Sequence, residues 1–315
     1  MQWFAQAPAN IALIKYMGKK DEDLNLPDNP SLSYTLNNLL TSVMLEKQAG
    51  KKDFWEPLQT PGAAPFSLSM KAQQRFLQHL NRVKNHFNYD GAFIVRSSNN
   101  FPQGSGLASS ASSFAALTLC AVRAISELKG ISLPPVSLQA HLSRLGSGSS
   151  CRSFFSPWAL WEDDKVEAIE LPYPQLLHQV VIISHEEKHV SSSEAHRRVK
   201  TSPLFHTRSR RASENLSLLL AAFRAEDWQS AYQICWREFQ DMHHLFTSCD
   251  EPFTYMTDAT HHVLKQLQNL WQHNNDGPIV TMDAGPNIHL LYRPSQADMA
   301  QQFKQDHLVG NHDVL

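Results

Sequence analysis

The chain has 315 residues, of which 42% are hydrophobic and 18% charged, and its formal net charge is −2 at pH 7. This length is sufficient for two packed lobes, and the composition excludes a wholly disordered chain. Because the chain has no basic excess, we expect no nucleic-acid partner.

The cysteines and the N-terminal residues indicate in which cellular compartment the protein is expected. The four cysteines (Cys120, Cys151, Cys235 and Cys249) are widely spaced and form no CxxC pair, which favours a reducing compartment over a disulfide framework or a zinc knuckle. The N-terminal residues MQWFAQAP lack a basic region followed by an apolar run. No apolar segment approaches the roughly 18 residues that span a bilayer. We therefore expect a soluble cytoplasmic protein without a membrane partner.

The first half of the chain predicts strands with a few helices. Apolar runs in WFAQA, SLSYTLNNLLTSVMLE and GAFIVRSS predict strands, and SLSMKAQQRFLQHLNRVKNHF between the last two has helical periodicity. The segment from Ala108 to Leu128 predicts a long helix that ends at Gly130, a suitable left-handed C-cap. QVVIIS then predicts a buried strand.

The pattern becomes mostly helical near residue 190. Helices are predicted in SSSEAHRRVK, PLFHTRSRRASENLSLLLAAFRAE, DWQSAYQICWREFQDMHHLF and DATHHVLKQLQNLWQH, and the strands PIVTMD and NIHLLYR follow. Strands first and helices later predict an α+β protein. We expect a first domain over residues 1–184 and a second over residues 185–315.

Glycine–serine segments stand where helices or turns begin. FPQGSGLASSASS (101–113) precedes the long predicted helix, and GSGSSCRS (146–153) contains Arg152. Glycine lets the backbone approach an anion closely, and the N–H groups at a helix start favour a phosphate. The first segment alone is equally compatible with a serine N-cap after a flexible turn. Two such segments, with VSSS (190–193) at a third helix start, favour a protein that holds several anionic groups.

Five segments resemble diphosphomevalonate decarboxylases of the GHMP kinase superfamily. In chain order they are PANIALIKYMGKKDEDLNLPDNPSLSYTL, NNFPQGSGLASSASSFAAL, RLGSGSSCRS, VSSS and MDAGPN. GLASSA indicates only the superfamily, whereas SGSSCR and DAGPN separate the decarboxylases from the kinases. The resemblance implies a GHMP kinase-like two-lobed fold, with a ribosomal-protein-S5-like N-terminal lobe and a ferredoxin-like, helix-rich C-terminal lobe.

The resemblance also implies a reaction. It is the ATP-dependent decarboxylation of mevalonate 5-diphosphate to isopentenyl diphosphate, ADP, phosphate and CO₂, in the mevalonate pathway of isoprenoid biosynthesis. ATP is the co-substrate, Mg²⁺ is held through the ATP phosphates, and a homodimer is expected. One alternative is a small-molecule kinase of the same superfamily, or a related decarboxylase of a differently phosphorylated mevalonate. A non-catalytic nucleotide-binding module is another.

The resemblance assigns roles to individual residues. Asp283 is the catalytic base, and Arg152 holds the substrate carboxylate. Lys15 and Asn10 complete the catalytic group. The substrate-binding residues are Tyr16, Lys19, Ser147, Ser149, Arg152 and Ser192. The ATP-binding residues are Ser105, Gly106, Ala108, Ser109 and Ser110. From the residues alone, an aspartate before glycine more often accepts N–H groups of its own turn.

Several further segments point elsewhere. HEEKH (185–189) matches the HExxH zinc pattern, but it directly follows a predicted strand, so a loop is favoured over a zinc-binding helix. The basic segment 197–211 predicts a solvated helix face. Met17, Ser156-Pro157 and Ala195-His196 replace a tryptophan, a glycine pair and Gly-Met that are usual in the family. These departures leave the exact phosphorylation state of the substrate open.

Overall fold

The first sheet is organised around one long strand. The computed structural model describes residues 1–59, 67–101, 109–186 and 188–315. Within these residues the first sheet has six strands: β1 Gln2–Ile14, β4 Ser31–Gln48, β5 Phe54–Pro57, β6 Ala92–Asn99, β7 Trp158–Glu162 and β8 Lys165–Ile169. A small ribbon of β2 Lys19–Asp21 and β3 Leu26–Pro27 follows the end of β1.

β4 is the centre of this sheet. It pairs with β1 along almost its whole length, and with β7 and then β6 along its other edge. Its second half alternates buried and half-buried residues, as expected for a sheet with one covered face, whereas residues 31–36 are all buried. The covered first half lies where the second lobe packs against the sheet.

Eight α-helices lie in the described part of the chain. They are α1 Met70–His86, α2 Ser109–Lys129, α3 Val136–Arg144, α4 Ser192–Arg198, α5 Arg208–Arg224, α6 Trp228–Ser248, α7 Asp258–Asn274 and α8 Ala297–Phe303. The helices predicted at α1, α2 and α4 to α7 are confirmed. Gly130 follows α2 with a φ of +64°, in agreement with the predicted C-cap.

α2 is the core helix of the first lobe. Its apolar face packs with α1 against Val43, Phe93 and Val95 of the first sheet. By length and composition alone, this helix could cross a membrane, so the expectation that no segment approaches such a length is wrong. However, 72% of its apolar window is buried inside the protein, which is the pattern of a core helix.

The second sheet contains β9 Leu177–Ile182, β10 Ile279–Met282, β11 Ile288–Tyr292 and β12 Asp313–Val314, in the order β10-β11-β9-β12. One face packs against α6 and α7, and the other packs against β1 and β4 in a core that both sheets share. The predicted strand QVVIIS, as β9, therefore pairs within the second sheet. The predicted domain division at residues 184 and 185 stays a prediction.

Candidate active site

A cleft of about 530 Å³ lies where the two lobes meet. The end of β1, the start of α2, a short 3₁₀ helix at Gly148–Phe154, the start of α4 and the turn after β10 all contribute to it. The predicted site residues that line it are Asn10, Lys15, Tyr16, Lys19, Ser109, Ser110, Ser147, Ser149, Arg152, Ser192 and Asp283. Ser105, Gly106 and Ala108 lie outside the described residues.

A partly buried ion pair joins the two lobes in this cleft. Lys15 follows β1 and Asp283 follows β10, and Lys15 Nζ donates to Asp283 Oδ1 at 2.9 Å. The Lys15 side chain is 2% exposed and the Asp283 side chain is 29% exposed. Asp283 Oδ2 has no hydrogen-bond partner among the described residues. One oxygen of the carboxylate is therefore available to a ligand in the cleft.

Burial and charge oppose each other at this pair. Burial raises the pKa of Asp283, but the nearby Lys15 ammonium and other positive groups lower it by a larger amount. The net pKa therefore lies below its usual value. Burial lowers the pKa of Lys15, and Asp283 partly offsets that effect. Asp283 is therefore held as the charged carboxylate, an acceptor of hydrogen bonds.

A second buried ion pair fixes the backbone of Lys15. Glu238 Oε1 accepts the Lys15 N–H at 3.0 Å, and Arg208 Nη2 donates to the Lys15 carbonyl oxygen at 3.0 Å. Arg208 and Glu238 are ion-paired with no exposure, and Arg208 also donates to Asp241 at 2.8 Å. The expected solvated face for the basic segment 197–211 is therefore wrong for Arg208. Sequence reasoning missed this clamp, because its partners are separated by up to 223 positions.

The backbone of Asp283 is also held by a side chain. His243 Nε2 lies 3.1 Å from the Asp283 carbonyl oxygen, which can only accept, so the histidine donates from Nε2. Burial lowers the pKa of His243 to about 3, which keeps the ring neutral. His243 belongs to an adjacent histidine pair that gave no functional signal in the sequence.

Arg152 is positioned by two polar side chains. Its Nε donates to Asn10 Oδ1 at 3.1 Å and its Nη1 donates to Ser31 Oγ at 2.8 Å. Asn10 in turn donates to the Ser149 carbonyl oxygen and to Ser153 Oγ. Arg152 Nη2 has no partner among the described residues, so this end of the guanidinium is available to an anion.

The opposite side of the cleft is lined by hydroxyls and cations. Ser147 Oγ donates to Ser110 Oγ at 3.2 Å, which brings the two glycine–serine segments together. Lys71 and Arg75 of α1 and Lys188 also line the cleft, and Lys188 donates to the Ala284 carbonyl oxygen. Sequence reasoning missed these three cations. The four-residue spacing of Lys71 and Arg75 on one helix face was the available signal for that pair.

The remaining predicted residues also line the cleft. The Tyr16 hydroxyl is buried without a hydrogen-bond partner in the described part of the chain, and its ring lies 4.8 Å from that of Trp161. Lys19 Nζ donates to Asn25 Oδ1 at 2.7 Å. Ser192 is the first residue of α4, whose N-cap is Ser191. Met17, one of the departures from the family, is buried in an apolar cluster with α4 and α6.

The HEEKH segment is not a helix in its described residues. His185 Nε2 lies 2.8 Å from Asp313 Oδ2 at the surface, whereas Lys188 lines the cleft. The segment therefore contributes a cation to the cleft, in the loop that the sequence favoured.

The two-lobed architecture and its cleft lined by cations and hydroxyls define an enzyme of the GHMP kinase-like class. Two family models agree: the diphosphomevalonate decarboxylase-like N-terminal domain matches residues 7–169, and the mevalonate 5-diphosphate decarboxylase C-terminal domain matches residues 179–312. The chain belongs to the diphosphomevalonate decarboxylase family.

Known proteins resemble the chain over most of its length. A diphosphomevalonate decarboxylase of Saccharomyces cerevisiae is 30% identical over 91% of this chain and 76% of its own. A solved mevalonate diphosphate decarboxylase from Legionella pneumophila is 65% identical, covers 100% of both chains and has a TM-score of 0.94. The structure of MDDEF in complex with MVAPP, AMPPCP and magnesium is 28% identical, covers 100% of this chain and 96% of its own, and has a TM-score of 0.85. The predicted family, fold class and enzyme class are confirmed, and the decarboxylase is supported over the kinase alternative.

Proposed function

We propose that the cleft binds mevalonate 5-diphosphate beside ATP, and that Lys15, Arg152 and Asp283 act together on it. The observation that carries this proposal is their convergence: three charged side chains from positions 15, 152 and 283 line one cleft of about 530 Å³. The reaction phosphorylates the tertiary 3-hydroxyl of the substrate, and the new phosphate then leaves as CO₂ is lost. Isopentenyl diphosphate, ADP and phosphate are the other products.

Asp283 orients the 3-hydroxyl and receives its proton. Its free Oδ2 is the acceptor, and Lys15 holds Oδ1. Because the pKa of Asp283 is low, the carboxylate is a weak base, and it takes the proton only as phosphoryl transfer makes the hydroxyl more acidic. A proton transfer late in the step fits the loose transition state usual for phosphoryl transfer.

Arg152 holds the substrate carboxylate. Pairing with a guanidinium stabilises the negative charge that decarboxylation must disperse, so charge stabilisation cannot be the benefit. The benefit is orientation, because Asn10 and Ser31 fix the guanidinium plane and so align the breaking C–C bond with the departing phosphate. Asn10 thus acts through Arg152.

The phosphates of both substrates meet the serines and cations. Ser109 and Ser110 face the ATP phosphates, with the described end of the first glycine–serine segment at the start of α2. Lys71, Arg75 and Lys188 lower the repulsion between the two anions. Tyr16, Lys19, Ser147, Ser149 and Ser192 bind mevalonate 5-diphosphate.

Mg²⁺ accompanies ATP, and the donor set fits this pair of groups. Serine hydroxyls and phosphates supply the oxygen ligands that Mg²⁺ prefers. Within the described ranges, no cluster of three or more His, Cys, Asp or Glu side chains could hold a metal ion, which fits an ion held mainly through the nucleotide. When bound, Mg²⁺ neutralises charge on the β- and γ-phosphate oxygens.

The cellular setting belongs to the same proposal. Four free, buried cysteines fit a reducing cytoplasm, and the net charge of −2 fits small-molecule substrates rather than nucleic acid. The burial of α2 fits a protein without a membrane partner. A homodimer is proposed on family grounds, and light scattering of the purified protein tests it.

Purified protein with MgATP and mevalonate 5-diphosphate tests the function. We expect ADP and CO₂ in equal amounts. ADP without CO₂ would indicate the kinase instead, and neither product would overturn the proposed reaction. Mevalonate 5-phosphate in a parallel reaction tests the phosphorylation state of the substrate.

A further inference from the structure

His196 is a buried histidine of α4 that the reaction above does not use. It is 8% exposed, lines the cleft, and its ring lies 4.4 Å from the ring of Tyr16. Its Nδ1 lies 3.0 Å from the backbone nitrogen of Gly18, at the turn between β1 and β2. The imidazole is thereby fixed in both position and plane.

This contact determines the tautomer of His196. A backbone N–H can only donate, so Nδ1 must be the acceptor and carries no proton. In a neutral imidazole the proton then lies on Nε2. Burial lowers the pKa of His196 to about 3, with a further decrease from Lys19 that Glu22 opposes, so the ring is neutral at physiological pH. The ring is therefore a neutral donor with a defined direction.

The Nε2–H of His196 has no acceptor among the described residues. Nε2 is not fully enclosed by protein. Because the ring lines the cleft, this atom is accessible from the cleft. Lys19 and Ser192 line the cleft as well, and the charges of Lys19 and of its ion-pair partner Glu22 both act on the His196 ring. An unpaired donor beside a cation is suited to an anionic oxygen.

We propose that His196 donates its Nε2–H to an anionic oxygen of the substrate diphosphate, next to Lys19. This inference rests on the proposed function and deepens it by adding a substrate-binding residue. A lysine ammonium attracts an anion with little directional preference, whereas a fixed imidazole N–H selects one orientation. His196 thus selects the orientation of the diphosphate without adding charge.

Two substitutions separate the donor from the contact with Gly18. In His196→Asn, the amide oxygen can still accept the Gly18 N–H, but the side chain is too short to donate from the Nε2 position. In His196→Gln, the amide nitrogen lies near the Nε2 position and can donate. His261→Asn, on the exposed face of α7, is the matched control.

Steady-state assays with MgATP and mevalonate 5-diphosphate provide the main readout. For His196→Asn we expect the KM for mevalonate 5-diphosphate to rise about 10- to 100-fold, the loss expected for a hydrogen bond to a charged group, with the KM for ATP unchanged. His196→Gln should recover most of this loss, and His261→Asn should match the wild type. Inorganic diphosphate should act as a competitive inhibitor, and its affinity for His196→Asn should fall in parallel with that of the substrate.

The outcomes separate this inference from the proposed function. Unchanged KM and diphosphate inhibition in His196→Asn would overturn the role of His196, as would equal losses in the Asn and Gln variants. If the wild type releases no CO₂, the proposed function fails first. Calorimetric titration of inorganic diphosphate into the wild type, His196→Asn and His196→Gln then still tests the donor, because equal affinity for these three proteins would overturn it.

Discussion

Two lysine–aspartate pairs in the described part of the chain, one partly buried and one buried, have nearly equal lengths. Lys15 and Asp283 are 2.9 Å apart in the cleft, and Lys84 and Asp53 are 2.8 Å apart in the first lobe. In the second pair both side chains are less than 10% exposed. Asp53 Oδ2 binds Lys84, and its Oδ1 accepts the Phe93 N–H, so both oxygens are used within the protein.

The difference lies in what the second carboxylate oxygen meets. In Asp53 the second oxygen accepts a backbone N–H of β6, so this pair stabilises the fold. In Asp283 it faces the cleft, beside Arg152 and the serine-lined wall. Ion-pair distance alone therefore does not distinguish a structural pair from a catalytic one. The two are distinguished by whether the second carboxylate oxygen still has an unused hydrogen-bond acceptor position in the folded protein.

The largest expected effect is that of an Asp283 substitution on turnover. In Asp283→Asn we expect kcat to fall by about 10² to 10⁴, the usual contribution of a general base, because the amide cannot take the hydroxyl proton. ATP affinity should stay within about threefold of the wild type, since the nucleotide lies on the serine side of the cleft. Steady-state kinetics and ATP titration check both values. A kcat close to the wild type would remove the assigned role.

The matching change at the structural pair should affect folding instead. Asp53→Asn keeps an acceptor for the Phe93 N–H but leaves the buried Lys84 ammonium without a counter-charge. We expect the free energy of unfolding to fall by about 3–5 kcal/mol, with kcat per folded molecule unchanged. Chemical denaturation measures the first quantity and active-site titration the second. A stable but inactive variant would break the comparison.

A smaller effect is expected at Arg152. Arg152→Lys keeps the charge but cannot donate to Asn10 and Ser31 while also holding the substrate. We expect kcat/KM for mevalonate 5-diphosphate to fall about 10- to 100-fold. Activity equal to the wild type would show that a positive charge alone suffices and that the fixed guanidinium plane has no role.

The smallest expected effect is that of pH. The net pKa of Asp283 is below its usual value, and a carboxylate is charged above its pKa. This group should therefore cause loss of kcat only below the usual pKa range of aspartate. Burial lowers the pKa of Lys15 below 10.5, so loss of its charge should cause an alkaline decline that begins below that pH. A pH profile at saturating substrates checks both limbs, and an acid limb above the usual range of aspartate would contradict the assignment.

The sequence predicted the elements that have strong local patterns. The alternation in the segment that became β4 and the periodicity of α1, α5, α6 and α7 were sufficient to predict strands and helices there. The glycine–serine turns by themselves indicated only that anionic groups are bound. The resemblance of the motif segments to a known family predicted which residues share the cleft. In the described part of the chain, every predicted site residue lines it.

The sequence could not reveal contacts made by ordinary residue types across long separations. The Arg208–Glu238 clamp on Lys15 depends on packing between the lobes, and the hydrogen bond from His243 to Asp283 depends on packing within the second lobe. Neither has a local pattern, since charged and histidine residues on a helix usually face solvent. The membrane-length expectation failed for a different reason: α2 is long and apolar enough by composition, and its burial identifies it as a core helix.

A single-turnover experiment tests the central distinction most directly. Equal concentrations of folded wild type, Asp53→Asn and Asp283→Asn are mixed with MgATP and limiting mevalonate 5-diphosphate, and ADP and CO₂ are followed by rapid quench. The account predicts one CO₂ per ADP at equal rates for the first two proteins, and a delay of both products together in the third. Wild-type product formation by Asp283→Asn, or its loss in folded Asp53→Asn, would contradict the account.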